Sequence, residues 1–351
     1  MIGDVLKYAP VCGIKVGPRS RISAPIFILL IVVVSSHAYP RDLDGRLGPI
    51  LSPNNARPAL VLKGGSFEVQ ARSRVELQLT SDAAPLPIET IWVRLPNGIF
   101  QGTSKLPPDV APGTYALETN TKDFEDTNRR SVYVYEEFPE TYRIAHLSNL
   151  RAGAESGRDE NVLRSITAIN VSKAAIVLIT GDLTDGGTPE QFVRALDLLN
   201  ECGAPTFVCP GPAEIVSERA LEYLGPTPFA FRFGPDGYLG HFTAESSGWD
   251  PTGASGRLHR LRRLIRSARW SVGFTNRYDP HGNVRDHLVL FRDDPLDFLI
   301  CALQAEGRTG EFEIPWGGAI GYAADGARRG AVQLFEVDSS GVALVDVSTS
   351  E

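Results

Sequence analysis

Residues 174–185 read AAIVLITGDLTD. The first six are apolar without a break and Thr180 follows, the pattern of a strand covered on both faces and not of one alternating between core and water. Gly181 then opens an acidic turn, Asp182-Leu183-Thr184-Asp185, where such a strand must end. Ligands bind at the carboxyl ends of the strands in open α/β sheets, so this turn marks the place to look for chemistry. The surrounding sequence repeats the grammar. Residues 143–148, RIAHLS, form a strand with an abrupt polar end, and 206–209, TFVC, form another. Residues 161–171 put Val162, Ile166 and Ile169 on one helical face, and 189–199 do the same with Phe192, Ala195, Leu196 and Leu199. Strand, helix, strand, helix, strand predicts an α/β domain. A hairpin around Ser339-Ser340-Gly341 closes it, with strands at 332–335 and 342–347.

Upstream the periodicity changes. Residues 56–137 contain short candidate strands at 59–63, 66–71, 74–79, 89–95, 113–118 and 130–135, separated by Gly64-Gly65, Pro96-Asn97-Gly98 and Pro112-Gly113. Val75, Leu77 and Leu79 alternate with Glu76 and Gln78. This predicts an all-β sandwich, immunoglobulin-like in strand count, with 138–142 as a linker to the α/β domain at 143–351 and 39–55 as a linker before it. Residues 1–21 carry Lys7, Lys15, Arg19 and Arg21 against Asp4 and precede an uncharged stretch at 22–40. Ser36-His37-Ala38 supplies the small residues of a cleavage site, so 1–38 reads as a signal peptide; the alternative is a membrane anchor at 22–40. Either reading puts the rest of the chain outside the cytoplasm.

Composition narrows the classes. The chain has 351 residues, with 35 Lys and Arg against 42 Asp and Glu, a net charge of −7. Apolar residues at 42% and charged residues at 22% are globular proportions. They exclude a disordered, collagenous, coiled-coil or multi-span chain. Four cysteines exclude a disulfide scaffold, and the acidic balance argues against nucleic acid as a partner.

Three strand ends carry the polar motifs. They are His146-Leu147-Ser148-Asn149-Leu150-Arg151, Gly181-Asp182-Leu183-Thr184-Asp185 and Gly211-Pro212-Ala213-Glu214. In this order they resemble the calcineurin-like metallophosphoesterases over residues 142 to about 338. That family has Asp-x-His after its first strand, Gly-Asp-x-x-Asp after its second and Gly-Asn-His-Asp/Glu after its third. Two later histidine segments complete a two-metal site for phosphate-ester hydrolysis. The resemblance implies an α/β/β/α sandwich behind the small β-sandwich. It also exposes departures. Asn149 and Arg151 stand at the Asp and His of the first motif, and Pro212 and Ala213 at the Asn and His of the third. Asn276 falls where a ligand histidine is expected, and Ala302, Leu303 and Ala305 replace the final Gly-His-x-His. Of the seven usual protein ligands only Asp182 clearly remains. Two dications about 4 Å apart need several anionic and imidazole donors, and one carboxylate does not supply them. Arg151 would place a fixed cation where a metal sat, and it is expected to pair with Asp182.

The other features read as structural. His146 lies on a strand and is expected in the core. His281 and His287 flank a loop without recognisable ligand spacing, and His37 lies in the export segment. Asp182 and Asp185 are expected to cap the glycine-rich turn and the next helix. Six arginines between 257 and 269 leave Leu258, Leu261, Ile265 and Ala268 on one helical face, predicting a basic helix paired with acidic surface. Cys209 and Cys301 each end a predicted strand, and read equally as a disulfide or as buried thiols. Asn170-Val171-Ser172 is a glycosylation sequon.

These readings predict an extracytoplasmic, non-catalytic protein on an inactivated scaffold, without catalytic residues, metal or cofactor. It would bind or assemble at the cell exterior, with an envelope protein, a glycan or its own copies as partner, and with membrane contact only through the N-terminal segment. The alternative is a divergent phosphoesterase holding Mn, Zn or Fe at a reduced or relocated site.

Overall fold

The computed structural model describes residues 45–81, 84–120, 125–154, 158–241, 254–278, 292, 294–304, 309–314, 318–323 and 331–349. The expected signal peptide at 1–38, its alternative as an anchor at 22–40, and the start of the 39–55 linker lie outside the described residues. So do His281, His287 and Ala305. Among the described residues no helix is long and apolar enough to cross a membrane.

The first domain consists of strands β1 (Ile50–Ser52), β2 (Ala59–Leu62), β3 (Ser66–Ala71), β4 (Leu77–Thr80), β5 (Leu86–Arg94), β6 (Phe100–Lys105), β7 (Gly113–Asn120) and β8 (Glu125–Tyr135). They run in the order β1-β3-β6-β5-β4-β7-β8-β2. β5 serves both halves of the sandwich. Leu86–Ile88 pair with β4, and Glu89–Arg94 pair with β6. The alternation seen in the sequence is the core: Val75, Leu77 and Leu79 face Phe67, Val69, Leu117, Val132 and Val134. Two features depart from expectation. β1 lies inside the segment expected as a linker, with Ile50 and Leu51 buried and Ile50 opposite Ala71. β6, FQGTSK, lacks an apolar run and buries the small residues Gly102 and Ser104 instead.

The second domain starts at β9 (Tyr142–Ser148), and α1 (Arg158–Ser172), β10 (Ile176–Thr180), α2 (Pro189–Asn200) and β11 (Thr206–Cys209) follow. After these come the short helices α3 (Pro212–Val216) and α4 (Ala220–Leu224), then β12 (Phe229–Phe233), β13 (Asp236–Gly240), α5 (Ala254–Leu264), β14 (Ser271–Tyr278) and β15 (Phe298–Gln304). β16 (Gly310–Glu313), β17 (Ile320–Ala323), β18 (Ala331–Val337) and β19 (Val342–Thr349) complete it. One sheet runs β11-β10-β9-β18-β19 and the other β12-β13-β14-β15-β17-β16. The unbroken apolar run of β10 now has its reason. Val177 and Ile179 face α1 and α2, through Val162, Ile166 and Phe192. Ile176 and Leu178 face the second sheet, through Phe233, Phe274 and Ile300. α5 and the turn that follows it cover the far side of that sheet through Leu258 and Ile265. The result is the expected α/β/β/α layering. β9, β10 and β11 are mutually parallel, so they end at one edge of the domain, and β18 returns antiparallel beside β9.

Among the basic residues of 257–269, Arg262 and Arg266 pair with Asp294 and Arg269 pairs with Asp236. Asp236 is fully buried and also accepts from the Tyr142 hydroxyl at 2.8 Å, so Arg269 neutralises a charge inside the protein.

Candidate functional site

The ends of β9, β10 and β11 meet as the sequence implied, and backbone bonds draw them together. Asn149 N–H donates to the Gly181 carbonyl at 3.0 Å, Arg151 N–H to Asp182 at 2.8 Å, and Ala152 N–H to Leu183 at 2.9 Å. The first loop thereby runs along the second. The backbone turns this sharply because Asn149, Arg151 and Asp182 take positive φ values of 52°, 48° and 32°. Non-glycine residues rarely adopt that region, and such conformations cluster at functional loops.

The predicted residues gather here with one change of partner. The guanidinium of Arg151 meets Asp185 at 2.6 Å, and not Asp182 as expected. Asp182 turns inward, where the backbone N–H of Ala213 and the charge of Arg151 hold its carboxylate against burial. Burial is the larger effect and raises its pKa, and its Oδ1 is buried without a hydrogen-bond partner. Neither aspartate caps α2. Thr188 does, in a capping box with Gln191. Asn276, on β14, reaches the same loops as its register implied. A Cβ added to Gly181 would lie 1.9 Å from its Nδ2, so the glycine is required by the asparagine above it. Pro212 and Ala213 open α3 and bring no side-chain donor. Leu303 lies on β15 opposite Arg277.

Glu214 has a role that its motif position alone did not reveal. It is fully buried and accepts from Thr184 N–H at 2.8 Å, Thr184 Oγ1 at 2.6 Å and Gly211 N–H at 2.7 Å. It latches the third loop to the second. Burial pushes its carboxyl pKa up and these three bonds pull it back. The signal in the sequence was a hydroxyl two residues after Asp182 and an acid three residues after Gly211.

The residues present do not fit the two-metal centre of the family. Among the described residues no three of His, Cys, Asp or Glu come together in a group that could hold a metal. Backbone also stands close at this point. A Cβ on Gly211 would fall 2.3 Å from the amide nitrogen of Asp182. His146 is no ligand. It is buried between Gln333 Oε1 at 3.0 Å and Thr180 Oγ1 at 2.7 Å, and burial lowers its pKa to about 4. Cys202, Cys209 and Cys301 are buried thiols, and the Cys209 Sγ donates to the His241 carbonyl. Both amide ends of Asn170 are engaged, with Glu201 and Gly203.

Residues 142–301 match the sequence profile of the calcineurin-like phosphoesterases. Among curated proteins none matches the chain. Among solved structures it is similar to the purple acid phosphatase PPD1 from yellow lupin (Lupinus luteus) seeds. Identity there is 10% over 81% of this chain and 72% of that one, with a TM-score of 0.46. It is also similar to GAP50, the anchor in the inner membrane complex of Plasmodium, at 11% identity over 61% and 86%, with a TM-score of 0.46. A dimetal phosphatase from Danio rerio gives 10% identity over 59% and 98%, with a TM-score of 0.37. By the profile match and the strand-end motifs, residues 142–301 are a calcineurin-like phosphoesterase domain in which other residues stand at most of the family's metal-ligand positions.

Proposed function

We propose that this chain is a non-catalytic protein of the cell exterior, which uses the metallophosphoesterase scaffold for binding or assembly and takes no resident metal. One observation carries the reading. The carboxylate that the family turn offers at Asp185 is held by Arg151 at 2.6 Å, so a protein cation stands beside the one surviving ligand. Asn149, Asn276, Pro212 and Ala213 add no negative charge. Arg151 thus offsets a carboxylate with a fixed protein charge where the family would place a metal. The basic leader, the apolar stretch and the small residues ending at Ala38 support export.

Two measurements test the reading. With p-nitrophenyl phosphate and added Mn²⁺ or Zn²⁺, turnover equals that of buffer and does not change in Asp182→Ala. Metal-dependent turnover that Asp182→Ala abolishes overturns the non-catalytic part. The polypeptide recovered from the exterior begins at Tyr39; recovery only from the cytoplasm overturns the export part.

A single observation favours the alternative, a phosphoesterase with one metal: the buried Oδ1 of Asp182 has no partner. The same assay separates the two readings.

A further inference from the structure

A second cavity lies at the other side of β11, where β11 and β12 end their two sheets and the chain leading into β2 closes over them. Its volume is about 480 Å³, and none of the residues of the degenerate phosphoesterase pocket lines it. Sites for small organic ligands fall in this size range. The walls are aromatic and aliphatic. Phe207 stacks on Phe231 with centroids 3.6 Å apart, Phe229 flanks them, and Leu261 and Ile265 close the side towards α5.

The charge in this apolar space is one-sided. Arg57, Arg232 and Arg257 line it against the single acid Glu68, which is exposed at the rim. Arg57 is only 5% exposed. Its guanidinium meets neutral groups alone: the Pro226 carbonyl, the Thr227 hydroxyl and the face of Phe229, 4.5 Å from the ring centroid. Its Nε is buried with no partner. Arg257 comes to the same residue and donates to the Thr227 carbonyl at 3.4 Å. Among the described residues neither arginine has a carboxylate within ion-pair distance. Burial lowers the pKa of Arg57 to about 9, with the neighbouring Cys209 opposing the shift and the charge of Arg257 adding to it. A buried cation without a counter-ion is among the costliest arrangements in a protein interior. An anion entering the cavity would remove that cost.

We infer that this cavity binds an anionic amphiphile, with one carboxylate or phosphate between Arg57 and Arg257 and a hydrocarbon body against Phe207, Phe229 and Phe231. Two guanidinium groups that both reach Thr227 suit the planar, multi-oxygen geometry of such headgroups. The site does not depend on whether the phosphoesterase pocket is catalytic.

The test is calorimetric titration of the full chain with dodecanoate, dodecyl phosphate and dodecanol, each below its aggregation concentration. The expected result is one-to-one binding of at least one anion, with dodecanol weaker by about tenfold or more. Preference for dodecanoate identifies a free carboxylic acid as the ligand class; preference for dodecyl phosphate identifies a phosphate monoester. Arg257→Ala, at a half-buried position, weakens the anion by about tenfold. Arg57→Met keeps the side-chain volume and removes the preference for anions over dodecanol. The inference is overturned if neither anion binds below about 1 mM, if dodecanol binds equally well, or if Arg257→Ala leaves the affinity unchanged.

Discussion

At Asp182 two opposing demands meet. The strand-end turn places a carboxylate inside the domain, and nothing there repays its burial in full. Its folded pKa is raised, so the fold favours the protonated acid. That contribution is complete below the unfolded value and is lost as pH rises through the folded one. At neutral pH the charge is a liability. Asp182→Asn, which keeps an oxygen for the Ala213 N–H, should therefore melt at or above the wild-type temperature at pH 7. The advantage should disappear by about pH 3. A wild-type melting point well above that of the variant at pH 7 would contradict this. His146 works in the opposite sense. Its pKa falls from 6.5 to about 4, so the neutral ring contributes stability above pH 6.5 that is lost as pH drops towards 4. The difference amounts to about 3 kcal/mol. Urea unfolding between pH 7 and 4 should show it as a steep decline, and His146→Gln, less stable overall, should show a shallower one.

The elements that hold these residues rely on one latch. Glu214 satisfies both polar groups of Thr184 and the N–H of Gly211 at a fully buried position. Glu214→Ala strands three donors and should cost about 3 kcal/mol, read as a lower urea midpoint. Glu214→Gln keeps an oxygen for Thr184 but turns an amide towards Gly211, so its loss should be intermediate. Equal midpoints for wild type and Glu214→Ala would remove the latch from the account. The same elements show what the sequence could reveal. β9, β10, β11, α1 and α2 were legible because continuous apolar runs and a 3.6-residue stripe each match one kind of burial. β6 was not, because its inward residues are Gly102, which leaves room for Thr90 and Trp92, and Ser104, which bonds the Thr90 hydroxyl. β13, DGYLG, looks like turn-rich sequence and gains its strand character from pairing with β12 and β14. What the sequence order brought together in space is a set of positions: Asn149, Arg151, Asp182, Asp185, Pro212, Ala213, Glu214 and Asn276 lie at or against the same strand ends, while Ala305 lies outside the described residues. The partner of Arg151 was not legible. Two carboxylates three residues apart are equivalent in the sequence; in the structure Asp182, at positive φ, turns inward and Asp185 meets the arginine.

Across the whole molecule the sandwich and the α/β domain share buried hydrogen bonds. Leu47 N–H donates to the Glu222 carbonyl at 2.7 Å, Val208 N–H to Ala56 at 2.8 Å, and Asn54 Nδ2 to Leu224 at 3.3 Å. The Thr206 hydroxyl reaches the Asn55 carbonyl. Unfolding should therefore be a single transition, with fluorescence from Trp92 in the sandwich and Trp270 in the α/β domain changing together. Two transitions separated by more than about 5 °C would show independent domains. The central proposal is a scaffold without a resident metal, in which a partly exposed Arg151–Asp185 ion pair stands at the strand ends. Its most direct test is the metal content of the protein, by mass spectrometry, after incubation with Mn²⁺ and Zn²⁺ and desalting. The account predicts less than about 0.1 equivalent of either ion. One or two equivalents, lost in Asp182→Ala, would contradict it and return the chain to the metal-dependent phosphoesterases.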